Sequence, residues 1–180
     1  MKAPGYVVHK GCDHIFFVGF LGAGKSTVAR NIGRLFGRPY VDTDRIVERM
    51  NRCTLVQIYD KGGPQAMYEA ETRALESLLA KKSLLVSCGS GIVESQKNCS
   101  LMRKMGSVVF LDGRLSDSLK QIQRLDRRPD FDLVENIELL YEHRRPLYQK
   151  LADFSVCITH KTFDEVAQAT AQLLWEKGLL

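Results

Sequence analysis

The sequence predicts an α/β protein: a three-layer P-loop fold in which a five-stranded parallel sheet lies between helices, in a single domain spanning 1–180. Three observations predict it. Five short apolar runs alternate with segments of helical periodicity, the pattern of parallel strands joined by crossover helices. The stretch Gly19-Phe20-Leu21-Gly22-Ala23-Gly24-Lys25-Ser26-Thr27 fits G-x-x-x-x-G-K-[ST] and falls between the first apolar run and the first helical one. The polar residues suited to chemistry gather where strands end, and ligands collect beyond the carboxyl ends of strands in such sheets.

Taken in order, residues 1–13 read as a loose tail and His14 to Val18 as the first strand. In the loop that follows, the glycines let the backbone wrap a phosphate chain with its N–H groups pointing inward. Gly22, Ala23, Gly24 and Thr27 belong to that cradle. Lys25 is placed to reach the β- and γ-phosphates, and the Ser26 hydroxyl to sit on Mg²⁺. The helix runs to about Phe36, where Gly37-Arg38-Pro39 breaks it. Tyr40-Val41-Asp42 is a short strand, and Asp44 reads as the N-cap of a helical run from Arg45 to Met50. Beside a P-loop the pair Asp42 and Asp44 reads further: one carboxylate can hold Mg²⁺ through water while the other faces an acceptor hydroxyl.

Thr54 to Asp60 is a short helix, Gly62-Gly63-Pro64 a turn, and Gln65 to Lys81 a helix with apolar residues at helical spacing. Leu84 to Val86 is a buried strand that ends in Ser87-Cys88-Gly89-Ser90-Gly91, a turn that lets a substrate approach the backbone. Weak helical character from Glu94 to Met105 precedes a strand at Ser107 to Leu111 and a helix at Leu115 to Leu125. Residues 126–133 are charged, contain Pro129 and read as a mobile lid loop. Leu133 to Leu151 is a long helix containing Pro146, Phe154 to Ile158 the last strand, and Phe163 to Lys177 a closing amphipathic helix.

The totals narrow the function classes. With 44% apolar and 26% charged residues the composition is that of an ordinary globular protein, and no apolar stretch approaches a membrane span. The five cysteines are odd in number, and none pair as C-x-x-C, so neither a disulfide framework nor a zinc site is indicated. The first residues lack the apolar core of a signal peptide, and a cytoplasmic location is expected. The net charge is +5, but the basic residues are scattered apart from Arg124 to Arg128 and Arg144-Arg145. Those clusters suit a phosphate-rich small molecule rather than nucleic acid. An arginine at 124 or 128 can close over a transferred phosphate. Arg144 can grip a substrate carboxylate by a bidentate fork, or Arg144 and Arg145 can form surface ion pairs with Glu142 or Asp153.

The order of these segments resembles the shikimate kinase family, within the nucleoside-monophosphate-kinase-like P-loop fold. The matching pieces are GFLGAGKST (19–27), VDTD (41–44), the helix carrying Glu71, SCGSG (87–91), RLDRRP (124–129), and RRPLY with the following Ala152-Asp153 (144–153). The resemblance implies the strand order 2-3-1-4-5 and ATP- and Mg²⁺-dependent transfer to a hydroxyl of a small carboxylated polyol, shikimate above all, in aromatic amino-acid biosynthesis. It implies that Lys25 and Ser26 handle phosphates and metal, Asp42 assists the metal, and Asp44 holds the acceptor hydroxyl and acts as base. Arg128 would be the lid arginine, Arg124 would lie along the adenine, His160 would edge it, and Arg144 would take the acceptor's carboxylate. Gly89, Ser90 and Gly91 would line the acceptor.

Two departures stand out. The family's F-R-x-x-E pattern reads Met67-Tyr68-Glu69-Ala70-Glu71 here, so Tyr68 replaces a second carboxylate-binding arginine. The middle of three family glycines is Ser90. A kinase of the same fold for a different polyol or hydroxy acid, and a nucleotide-binding regulatory domain without transfer, are the two rival expectations. A monomer, with no nucleic-acid or membrane partner, is expected.

Overall fold

A computed structural model describes residues 11–121 and 136–180. The segment 126–133 expected as a lid, and Arg124 and Arg128, lie outside the described residues. Of the segment 1–13, residues 11–13 are described. Cys12 is buried there, and its N–H donates to the carbonyl of Met105 at 2.8 Å.

The elements alternate as the pattern requires. Strand β1 (His14–Val18) leads through the P-loop to helix α1 (Lys25–Phe36), β2 (Tyr40–Asp42) to α2 (Thr43–Asn51) and α3 (Leu55–Glu76), and β3 (Leu85–Ser87) to a 3₁₀ turn (Ile92–Glu94) and α4 (Gln96–Met105). Then follow β4 (Gly106–Asp112), α5 (Leu115–Gln121), α6 (Ile137–Leu151), β5 (Phe154–Cys157) and α7 (Phe163–Glu176). The five strands form one parallel sheet in the order β2-β3-β1-β4-β5. The central β1 pairs Phe16 with Val86 on one side and with Val108 on the other.

All five residues of β1 are buried, which is why it reads as a continuous apolar run rather than an alternating one. Phe16 and Val18 point to a core shared with Ile46, Met67, Leu75, Met102 and Tyr148, so α2, α3, α4 and α6 cover that face. Ile15 and Phe17 point to the opposite core, closed by Val28 and Ile32 of α1 and by Val166, Ala167 and Leu174 of α7. Helices on both faces leave the carboxyl ends of the strands as the open edge.

Local chemistry sets the helix limits. α1 begins at Gly24, whose φ of 79° lies in the left-handed region, and ends at Gly37 (φ 65°), which donates its N–H to the Gly33 carbonyl. Thr54 and Thr162 start α3 and α7 through reciprocal capping boxes with Gln57 and Glu165. The Gly62-Gly63-Pro64 turn is a break within α3: Gly63 has φ 62° and ψ −158°, non-helical angles, and Pro64 restarts the helix. One cap differs from the sequence expectation. The residue that caps α2 is Asp42, not Asp44: its carboxylate accepts from the N–H groups of Asp44 and Arg45, and Asp44 lies inside the first turn. The helix begins two residues earlier than an Asp44 cap would have it. The capping carboxylate then comes from the end of β2.

Candidate active site

The nucleotide half of the site is the P-loop with the ends of β2 and β3. α1 has no acidic side chain in its first turn, so its N-terminal N–H groups face a polar cleft without a competing carboxylate. Gly22, Gly24, Lys25, Ser26 and Thr27 line that cleft, and Ala23 is buried behind it. A Cβ on Gly24 would collide with the Phe163 ring, so glycine is required there twice over, by its φ and by the close ring. Lys25 Nζ donates to the carbonyls of Gly19 and Phe20, both at 2.9 Å, which holds the ammonium over the loop. Ser26 Oγ donates to Asp42 Oδ2 at 2.9 Å and lies 2.9 Å from Ser87 Oγ. Tyr40 also donates to Asp42 Oδ2, at 3.2 Å. Three hard oxygen groups, from the P-loop, β2 and β3, thus meet at one point.

The acceptor half is a pocket beside it, and Asp44 lines both. Two turns hold its floor together. Thr43, fully buried, accepts the Gly89 N–H at 2.9 Å, which locks the start of α2 to the turn after β3. A Cβ on Gly89 would stand 2.5 Å from Asp44 Oδ1 and 3.3 Å from Glu71 Oε1, so a side chain there would push the Asp44 carboxylate aside. Cys88, in the same turn, is wholly buried, and burial pushes its thiol well above the usual range, so it is an inert wall.

Helix α6 closes the pocket. Arg144 and Tyr148 stand one turn apart on one face, and both hold the Ser90 turn. Tyr148 donates to the Ser90 carbonyl at 2.6 Å, and Arg144 Nη1 donates to Ser90 Oγ at 3.3 Å. Ser90 is buried, with its hydroxyl turned to Arg144. Arg145, on the other side of the helix, takes Asp112 with two hydrogen bonds at 3.0 and 2.8 Å. The Asp153 carboxylate accepts the Val108 N–H at 2.9 Å.

The partner of Arg144 is Glu94, at the end of the 3₁₀ turn. Arg144 Nε donates to Glu94 Oε1 at 2.5 Å, and Tyr68 Oη donates to Glu94 Oε2 at 2.9 Å. Burial, then the Glu94 charge beside it, pushes the Tyr68 phenol far above its usual value, so it stays a donor. The sequence reading assigned Arg144 and Tyr68 to an acceptor's carboxylate; here both hold a carboxylate of the chain itself. It gave no role to Glu94, Thr43 or Phe163, and named Ser87 only as the first residue of the turn after a buried strand. Glu71, on α3, is buried and accepts from Asn98 Nδ2 at 3.4 Å. His160 lies on an exposed left-handed turn (φ 60°) between β5 and α7, at the same edge of the sheet as the P-loop.

A parallel sheet with this order, a P-loop at its centre and a pocket with apolar walls and a few charged groups beside the phosphate cradle define a small-molecule kinase of the P-loop class. A model of the family "Shikimate kinase" matches residues 21–175. Curated shikimate kinases from Dehalococcoides mccartyi and Acinetobacter baumannii are 30% and 32% identical over 158 and 170 residues, covering 87% and 92% of this chain and 90% and 94% of theirs. A shikimate kinase from Acinetobacter baumannii solved in complex with shikimate superposes with a TM-score of 0.84 at 28% identity, over 93% of this chain and 95% of that one. The chain belongs to the shikimate kinase family.

Proposed function

We propose that this protein transfers the γ-phosphoryl group of ATP to a ring hydroxyl of shikimate, giving shikimate 3-phosphate and ADP, as a step of aromatic amino-acid biosynthesis. The observation that carries the reading is the position of Asp44, which lines both the phosphate cleft and the acceptor pocket. A hydroxyl held there faces the cradle. Its oxygen bonds to the γ-phosphorus as the bond to the β–γ bridging oxygen breaks, and its proton passes to Asp44. Lys25 and the α1 N-terminus carry the negative charge that shifts to the leaving phosphate. Arg128 closes over the transferred group, Arg124 lies along the adenine and His160 edges it.

Mg²⁺ fits the oxygen donors present. Asp42 and Ser87 present a carboxylate and a hydroxyl oxygen, each 2.9 Å from the Ser26 hydroxyl. Among the described residues no cluster of three or more His, Cys, Asp or Glu side chains suits a metal held by protein alone. Mg²⁺, which keeps several waters and uses few carboxylates, matches that donor set and would neutralise phosphate charge when bound. The enzyme works as a monomer in the cytoplasm, a reading supported by five free thiols and by a site whose two halves come from one chain. Among the described residues no helix is long and apolar enough to cross a membrane.

The test is ADP release coupled to a dye reaction, with ATP, Mg²⁺ and shikimate. Wild type should turn over, and Lys25→Ala should lose roughly 10²-fold or more of kcat while keeping its fold. Near wild-type turnover by Lys25→Ala would overturn the phosphate assignment.

A further inference from the structure

We propose that Glu94 is a positioning residue for recognition of the acceptor's acid group: by holding Arg144 through Nε, it sets the outer edge of the guanidinium against the pocket floor, where a carboxylate can be gripped. The inference rests on the acceptor pocket and the shikimate reading given above. Arg144 is the one permanent cation among the described residues that line the pocket. Its Nε donates to Glu94 Oε1 at 2.5 Å. Its Nη atoms lie along the turn after β3: Nη1 donates to Ser90 Oγ at 3.3 Å, and a Cβ on Gly91 would stand 3.2 Å from Nη2. Ser90 and Gly91 are themselves part of the pocket lining. A carboxylate that meets the Nη edge exchanges with the long contact to Ser90 and leaves the Nε bond to Glu94 in place.

Glu94 is itself fixed from the other side. Its Oε2 accepts from the Tyr68 hydroxyl at 2.9 Å, so α3, the 3₁₀ turn and α6 meet at one carboxylate. Tyr68 spends its one proton there, and the charge-assisted bonds to an acid group fall to Arg144. The Arg144 side chain is 5% exposed and that of Glu94 20%, so the pair is largely withdrawn from water. Two effects of Glu94 on an incoming acid oppose each other. Its charge repels, but that charge is already paired with Arg144. Its reach orients a long side chain that otherwise has many rotamers, and a bidentate grip works only when the planar fork faces the carboxylate. Orientation is the larger effect, and Glu94 raises affinity for the acid although both are anions.

The experiment separates reach from charge. Steady-state kinetics with ATP and Mg²⁺ are measured for shikimate and for shikimamide, its primary carboxamide, in wild type, Glu94→Ala, Glu94→Asp and Glu94→Gln, with melting curves to check the fold. Glutamine keeps the reach and an oxygen for Arg144 Nε but drops the charge; aspartate keeps the charge and falls one methylene short. KM for shikimate should rise about tenfold in Glu94→Ala and several-fold in Glu94→Asp, and stay within about threefold of wild type in Glu94→Gln. KM for ATP, kcat at saturating shikimate and KM for the amide should move by less than about twofold in all three, because only ground-state binding of the acid group is weakened. If Glu94→Asp matches wild type while Glu94→Gln behaves like Glu94→Ala, charge and not positioning is at work, and the inference is overturned. Equal rises in KM for shikimate and for the amide overturn it as well, since that is the mark of a general loss of structure. Absence of shikimate turnover by wild type overturns the shikimate reading, and this inference with it.

Discussion

The side chains that do most in this molecule are polar groups with two fixed partners. His14 shows the pattern away from the active site. It is 1% exposed on β1; its Nδ1 accepts the Leu84 N–H at 3.1 Å, and its Nε2 lies 3.0 Å from the Leu78 carbonyl. That pair of partners fixes the neutral ring with its proton on Nε2. Burial lowers its pKa, opposed by the Leu78 carbonyl. The folded protein therefore resists protonation that the unfolded chain accepts at about pH 6.5. The stability due to neutral His14 is full above pH 6.5 and is lost as pH falls from there towards the folded pKa, at no more than about 1.4 kcal/mol per pH unit. Denaturant titrations from pH 8 to pH 5 should show this fall. His14→Gln, which can keep a donor and an acceptor, should flatten it, and an unchanged slope in that variant would remove His14 as the cause. Glu94 follows the same logic at the site: what it does is set by which two donors it satisfies.

At the scale of elements, the break in α3 positions the acceptor wall. The segment before Gly63 carries Leu55 and Tyr59 into the pocket, and the segment after it carries Met67, Tyr68 and Glu71. A straight helix would spread Leu55 and Glu71 about 24 Å along its axis, too far apart to line one small cavity. The break depends on a glycine: φ 62° with ψ −158° is a conformation that side chains exclude, although a Cβ there would meet no neighbouring atom. Gly63→Ala should therefore cost about 1–3 kcal/mol from backbone strain alone, and it should raise KM for the acceptor more than KM for ATP as the Tyr68 segment shifts. Urea melts and two-substrate kinetics test both parts. Equal effects on the two KM values would mean that the break does not shape the pocket. Helix α6 works with simpler means, since Arg144 and Tyr148 at a four-residue spacing meet one turn of chain.

Across the whole molecule, the edge of the sheet opposite the active site is tied by one guanidinium. Arg38 follows α1, and its Nε donates to the Ser83 carbonyl at 3.0 Å, ahead of β3. Its Nη1 donates to the Leu179 carbonyl and its Nη2 to the Asp13 carbonyl, each at 2.5 Å, and it forms an ion pair with Asp13 at 3.4 Å. The entries to β1 and β3 and the chain beyond α7 are thereby joined at the amino ends of the strands. The planar fork of arginine meets this geometry, and an ammonium cannot reach three separated acceptors at once. Arg38→Ala should destabilise the fold by about 2–4 kcal/mol, and Arg38→Lys should recover less than half of that. Thermal melts of the three proteins decide it, and full rescue by lysine would show that charge alone matters. ATP and acceptor KM values should barely move in Arg38→Lys, because the tie lies at the far end of the sheet.

By itself the sequence determined the P-loop, the alternation of strands and helices, the helix limits to within a few residues, and the candidate residues at the strand ends. These are encoded in contiguous patterns: a nine-residue phosphate loop, apolar runs of strand length, and periodicity along each helix. Only the tertiary structure decided that Asp42 caps α2, because a cap depends on where the β2 hydrogen bonds stop and the chain turns. It also decided the pairing at the acceptor pocket. Tyr68 and Glu94 are 26 residues apart, Arg144 and Glu94 are 50, and Ser26 and Ser87 are 61. A hydrogen bond requires donor and acceptor within about 3 Å, and that closeness is set by how α3, the turn after β3 and α6 converge on the sheet edge. No spacing along the chain records that convergence, so Arg144 was legible as a carboxylate-binding group while the carboxylate it holds was not.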